Sequence, residues 1–171
     1  MLNLDAAILI PRVLGLILAG HGAQKLLGWF GGHGIHGTAQ WLETLRLNPA
    51  RFWAVVAGLA ELLGGLGLVL GLFTPIAAAA IFGVMLMAIV KVHWPNGLWV
   101  TQNGFEYPLV NAFIALFIGL VGPGRYALDT VLNIRYPMPL TFLIALVVSV
   151  IGVLLGLISG HPVLRTQQRP S

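Results

Sequence analysis

Phe52–Phe73 is a 22-residue run of apolar residues and glycine broken by a single ionisable group among the 22, Glu61. At ~1.5 Å per residue the run is long enough to cross a ~30 Å hydrocarbon core, with the carboxyl near its middle. A carboxylate at that depth costs on the order of several kcal/mol unless it is paired, neutralised or wetted, so Glu61 must face the inside of a helix bundle. Ala57, Gly58, Gly64 and Gly65 flank it one turn away in each direction. Such a face lets neighbouring backbones come close. The plainer alternative is a buried carboxyl satisfied by one neighbour, with a packing role only.

Hydrophobic residues make up 58% of the 171-residue chain and charged residues 8%, with a mean hydropathy of +0.92. That composition excludes an ordinary soluble domain and points to an all-α, polytopic membrane helix bundle. The net charge of +4 comes from Lys and Arg at helix ends and in short loops, which fits membrane topology better than nucleic-acid binding. Cysteine is absent. The chain therefore has no disulfide, thiolate metal site or dithiol couple of its own, and redox electrons would have to come through a partner or a bound cofactor.

Five spans are expected. The first covers about Leu4–Leu27, retained rather than cleaved because Asp5 stands where a signal peptide is cationic. Pro11 predicts a kink or late helix start in it. Gly28–Gly37 reads as a glycine-rich loop, followed by a short amphipathic interfacial helix over Ala39–Leu47. The Glu61 helix is second, and Ile76–Val92, reached by the turn at Phe73-Thr74-Pro75, is third. Tyr107–Val121 is a short fourth span. Arg125 and Asp129, four apart, suggest a surface ion pair. Leu140–Ile158 is a fifth span whose one strongly polar residue, Ser149, makes it look like a lipid-facing addition rather than a site helix. The tail from Gly160 is polar.

With the N-terminus on one face, side A, the loops Gly28–Arg51 and Lys91–Glu106 and the tail fall on the other, side B. Arg12 and Glu61 then come to similar depths, and an intramembrane Arg12–Glu61 pair is geometrically allowed. His21 and Lys25 lie one turn apart near side B, where Lys91, His93, Glu106 and Asn111 also arrive. Trp29, Trp41, Trp53, Trp94 and Trp99 lean the same way. Most read as an interfacial belt, and some could wall a pocket for a flat apolar ligand of quinone type. Imidazole titrates near neutrality, so His21 and His93 are candidate proton carriers beside Glu61; interfacial hydrogen bonding is the alternative. Lys25 and Lys91 could instead snorkel to headgroups. His33 and His36, three apart in the glycine loop, have no third ligand at fixed spacing, so no metal site is assigned.

Taken in order, Arg12, His21-Gly22 with Lys25, Gly31-Gly32, Gly37-Thr38-Ala39, Glu61 with Gly64-Gly65, Lys91 with His93, Asn96-Gly97, Gly104-Phe105-Glu106-Tyr107 and Gly122-Pro123-Gly124-Arg125-Tyr126-Ala127-Leu128-Asp129 resemble the DoxX family of small bacterial and archaeal membrane proteins. The resemblance covers about residues 8–130. It implies a four-helix membrane core over residues 1–130; the additional transmembrane helix in 131–160 departs from that plan, and 161–171 is a polar tail. It also implies an integral membrane subunit of an oxidoreductase system working with a protein partner that carries redox chemistry. On that reading a quinone-like or other small redox molecule, not covalently held, binds at one membrane face. Glu61, His21 and His93 would handle protons, and Arg12, Lys25, Lys91, Glu106 and Asn111 would bind the ligand. The alternative is a non-catalytic transporter or assembly partner. Six cations, Lys25, Arg46, Arg51, Lys91, Arg165 and Arg169, fall on side B against Arg125 and Arg135 on side A. Cationic loops stay in the cytoplasm, so the expected placement is a prokaryotic plasma membrane with the N-terminus outside and the C-terminus cytoplasmic.

Overall fold

The computed structural model describes residues 9–160. The start of the first span, with Asp5, and the tail carrying Arg165 and Arg169 lie outside the described residues.

The chain is all-helical, with no strand among the described residues. Its elements are α1 (Leu9–Leu27), α2 (Gly34–Thr44), α3 (Ala50–Leu70), α4 (Thr74–Ala88), α5 (Glu106–Val121), the single turn α6 (Leu128–Val131) and α7 (Leu140–Ile158). A π turn over Ile89–His93 and a 3₁₀ turn over Trp94–Asn96 extend α4, so that Thr74–Asn96 is continuous. Three of the described helices are long and apolar enough to cross a membrane: Ala50–Leu70, Thr74–Asn96 and Leu140–Ile158. Two others fall short of that mark for visible reasons. Arg12, His21, Gln24 and Lys25 make α1 polar, and α5 has only 16 residues.

α1 and α3 pack with their backbones nearly in contact. A Cβ at Gly22 would lie 2.3 Å from the Leu62 nitrogen, and one at Gly65 would lie 2.5 Å from both the Ala19 nitrogen and the Gly15 carbonyl oxygen. Such approach without a hydrophobic driving force between helices is what small residues permit in lipid. α4 is central, touching α3, α5 and α7. Its nearly all-round burial of Ala77, Ala78, Ala79, Ile81 and Met85 against Leu68, Ala115, Ile118 and Phe142 forms the main core.

Two local expectations change. Helix α2 begins at Gly34, inside the glycine loop, and a 3₁₀ turn occupies Trp29–Gly31. The loop is ordered because it docks on the end of α1: Gln24 donates to the Phe30 carbonyl at 3.2 Å, and Thr38 donates to the Lys25 carbonyl at 3.2 Å. The Arg125–Asp129 surface pair does not form. Asp129 is fully buried, and Arg125 lies instead 6.0 Å from the centroid of the Tyr126 ring.

α7 is no bystander. It packs along α4, with Ser149 donating to the Ala79 carbonyl at 2.8 Å and Phe142 filling the space over Gly119 of α5. Its opposite face, with Val147, Ile151 and Leu154, is exposed in the way a lipid-facing surface is.

Candidate functional site

Glu61 is 3% exposed, and its carboxylate partner is Lys25: the Nζ donates to Oε1. This is the ion pair found among the described residues. Lys25 lies in the last turn of α1, and its long stem carries the ammonium inward to the middle of α3. The expected Arg12–Glu61 pair does not exist. Arg12 instead donates from Nε to the Val69 carbonyl at 3.2 Å and from an Nη to the Tyr126 carbonyl at 3.1 Å. Val69 is in the last turn of α3, where carbonyls lack helical partners and the helix dipole favours a cation. That end of α3 is within reach of Arg12, and it holds the guanidinium at side A.

The second oxygen of Glu61, Oε2, is buried without a hydrogen-bond partner. Glu61 is among the residues lining a cavity of about 650 Å³ between α3 and α7, with α4 as its floor and α2 across its side-B end. Lys25, Thr38 and Lys91 supply polar groups to the lining; Trp41 and Trp53 are its aromatic walls. Most of the rest is aliphatic or glycine, as in ligand sites where a few polar groups orient a mostly apolar molecule. Lys91 sits in the π turn of α4, an irregularity that recurs at functional sites.

The structure thus gathers Lys25, Glu61 and Lys91 around one space and distributes the other candidates elsewhere. His21 is exposed on α1 and contacts Gln24 Oε1 through Nδ1 at 3.0 Å. His93 contacts the Asn103 carbonyl through Nδ1 at 2.8 Å, closing the side-B loop, and the backbone N–H of Val100 donates to Glu106 at 3.0 Å in the same loop. Asn111 is buried in α5 with its amide nitrogen unpartnered, and it does not line the cavity. Arg12 borders a separate void of about 40 Å³ at side A.

Residues of α7 line the cavity from Thr141 to Val153, a contribution that sequence reading missed. Its signal was present in Ala145, Ser149, Gly152 and Gly156, small residues recurring every three or four positions on a helix otherwise made of Leu, Ile and Val.

At side A a second buried carboxylate, Asp129, accepts from the Phe73 and Thr74 backbone N–H groups at 2.8 and 2.9 Å, from the Thr74 hydroxyl at 2.8 Å and from the Tyr136 hydroxyl at 3.0 Å. It caps the N-terminus of α4 from a distant part of the chain. Burial, then the hydrogen bond to Asp129 and its charge, push the Tyr136 phenol up to about 12.

A relative in Haemophilus influenzae, described as an uncharacterized protein, is 29% identical over 85 residues, which is 50% of this chain and 56% of that protein. The match thus spans little more than half the relative's length. No solved structure matches the chain. The family model for DoxX matches residues 7–94, which take in α1 with Lys25, the glycine loop and α2, Glu61 on α3, and α4 through Lys91. The residues that build the charged end of the cavity therefore all fall within that match, and this membrane protein belongs to the DoxX family.

Proposed function

We propose that the chain is the membrane subunit of an oxidoreductase system and binds a quinone-like redox molecule in the cavity between α3 and α7. The observation that carries this reading is Glu61, whose Oε2 is buried with no protein partner and which is itself among the residues lining an apolar, aromatic-walled cavity. An orphaned acceptor of this kind costs about 1–3 kcal/mol, a cost that a bound hydroxyl or a proton on the carboxyl would remove. A quinone takes up electrons together with protons, and so needs a proton carrier beside it. Glu61 is placed to hold that proton at Oε2, Lys25 holds the carboxyl in position through Oε1, and Lys91 offers a cation to a carbonyl or developing anion at the side-B end. The sequence has no thiol couple, so the electrons come from a partner protein or a donor bound by one. His21 and His93, at the side-B surface, serve proton exchange with the aqueous phase on this reading. The cation bias of the loops supports a cytoplasmic placement of that surface on this reading.

Titration of the purified chain in mild detergent with a short-chain benzoquinone tests the proposal. Saturable binding that Glu61→Gln weakens by about tenfold or more supports it, since the amide keeps the shape and loses the proton. Absence of saturable binding, with substrate flux through vesicles containing this chain alone, would replace it with a transporter.

A further inference from the structure

We infer that the ligand of this site is a long-chain amphiphile that enters sideways from the bilayer between α3 and α7 and lays its apolar tail along α4. The inference rests on the quinone reading for the head of the molecule and on the shape and polarity of the cavity for its tail.

The cavity is long and graded. Ile76 and Lys91 both line it, about 22 Å apart along α4 at ~1.5 Å per residue. Its polar lining is at the side-B end and at mid-depth, where Lys25, Thr38, Lys91 and Glu61 lie. Toward side A the lining is Ile76, Ala79, Ala80, Ile144 and Ala145, and the two hydroxyls nearby, on Thr141 and Ser149, are already given to the Pro137 and Ala79 carbonyls. A compact polar molecule would leave that half without a partner. An amphiphile with its head at Glu61 fills both.

The opening faces lipid. α3 and α7 both pack on α4 and make almost no contact with each other. The rim residues Val56, Ile144 and Val148 are exposed at depths that lie within the spans. A tail already dissolved in the bilayer gains nothing from the hydrophobic effect on moving into such a slot, so its share of the affinity is packing against the wall. That makes the tail's contribution sensitive to filling the slot. Ala80 is the position to use, because it lines the apolar side-A half of the cavity and is only part-buried, so that a larger side chain there takes up tail space and leaves Glu61 untouched.

The test measures binding of decyl-benzoquinone and of its tail-less methyl analogue to the full chain and to Ala80→Leu. We expect the variant to lose about tenfold in affinity for the decyl compound and less than about twofold for the methyl compound. Because the sequence has no cysteine, Val148→Cys can also be labelled on the folded protein with a bulky maleimide, and Phe117→Cys, exposed on α5, serves as the control. Labelling at 148 should slow exchange of the decyl probe with the bilayer, and labelling at 117 should not. Equal effects of Ala80→Leu on both compounds, no effect on either, or unaltered exchange after labelling at 148 overturns the inference while the head site, still read by Glu61→Gln, stands. Equal competition by a phosphatidylglycerol assigns the slot to bilayer lipid and overturns it as well. No saturable binding of either quinone removes the inference and the underlying reading together.

Discussion

Glu61 and Asp129 are both carboxyls withdrawn from solvent, at 3% and 0% exposure, and their surroundings are opposites. Asp129 receives two backbone N–H groups and two hydroxyls, with both oxygens occupied. Glu61 receives one ammonium on one oxygen and nothing on the other. Saturation marks the first as an internal fastening that ties the loop before α7 to the start of α4. The second lines a cavity and keeps one oxygen without a protein partner, which is what the proposed ligand site calls for. Burial alone does not separate the two roles; the count of donors does.

Removing the saturated carboxyl should have the larger effect on stability. Asp129→Ala leaves the Phe73 and Thr74 N–H groups and the Tyr136 hydroxyl without an acceptor, and we expect a loss of about 3 kcal/mol or more in detergent-solubilised unfolding. Glu61→Gln should cost on the order of 1 kcal/mol, because Lys25 is part-exposed and its stem lets the ammonium move toward the interface. Were Glu61→Gln the more damaging change, the division between fastening and site would be lost.

A double-mutant cycle sharpens the same contrast. Lys25→Met and Glu61→Gln should couple by about 1–3 kcal/mol, whereas Arg12→Leu and Glu61→Gln should add to within about 0.5 kcal/mol, since Arg12 serves the end of α3 instead. Coupling through Arg12 would restore the depth argument that the structure replaced.

The smallest effect belongs to Tyr136. Its folded-state phenol is raised from 10.0 to about 12, so the neutral form is favoured by folding. That contribution is complete below about pH 10 and is lost as pH rises toward about 12. Melting temperatures of the wild type and Tyr136→Phe should converge over this interval. A constant difference would mean that the phenol titrates freely.

Three spans were legible in the sequence because each is a long apolar run, and Glu61 was legible because it is the one charge inside its run. Lys25 was placed on the right end of the bundle, but its partner was misjudged: depth counts Cα positions, while a lysine stem moves its charge several residues along the axis. Asp129 was misread because a four-residue spacing is equally consistent with a surface pair and with a turn that buries one member. The role of α7 was hidden by the same uniform apolarity that identified it as a span, since lipid and a helix wall both accept Val and Leu.

The glycines of α1 and α3 bear on the chemistry although they carry no functional group. Gly22 is three residues before Lys25 and touches the backbone of Leu62, the residue after Glu61. The distance between ammonium and carboxylate is therefore set by an interaxial spacing that no larger residue at Gly22 can reproduce. Alanine at that position would act as a wedge of one methyl, changing the electrostatics of the site without adding or removing a charge.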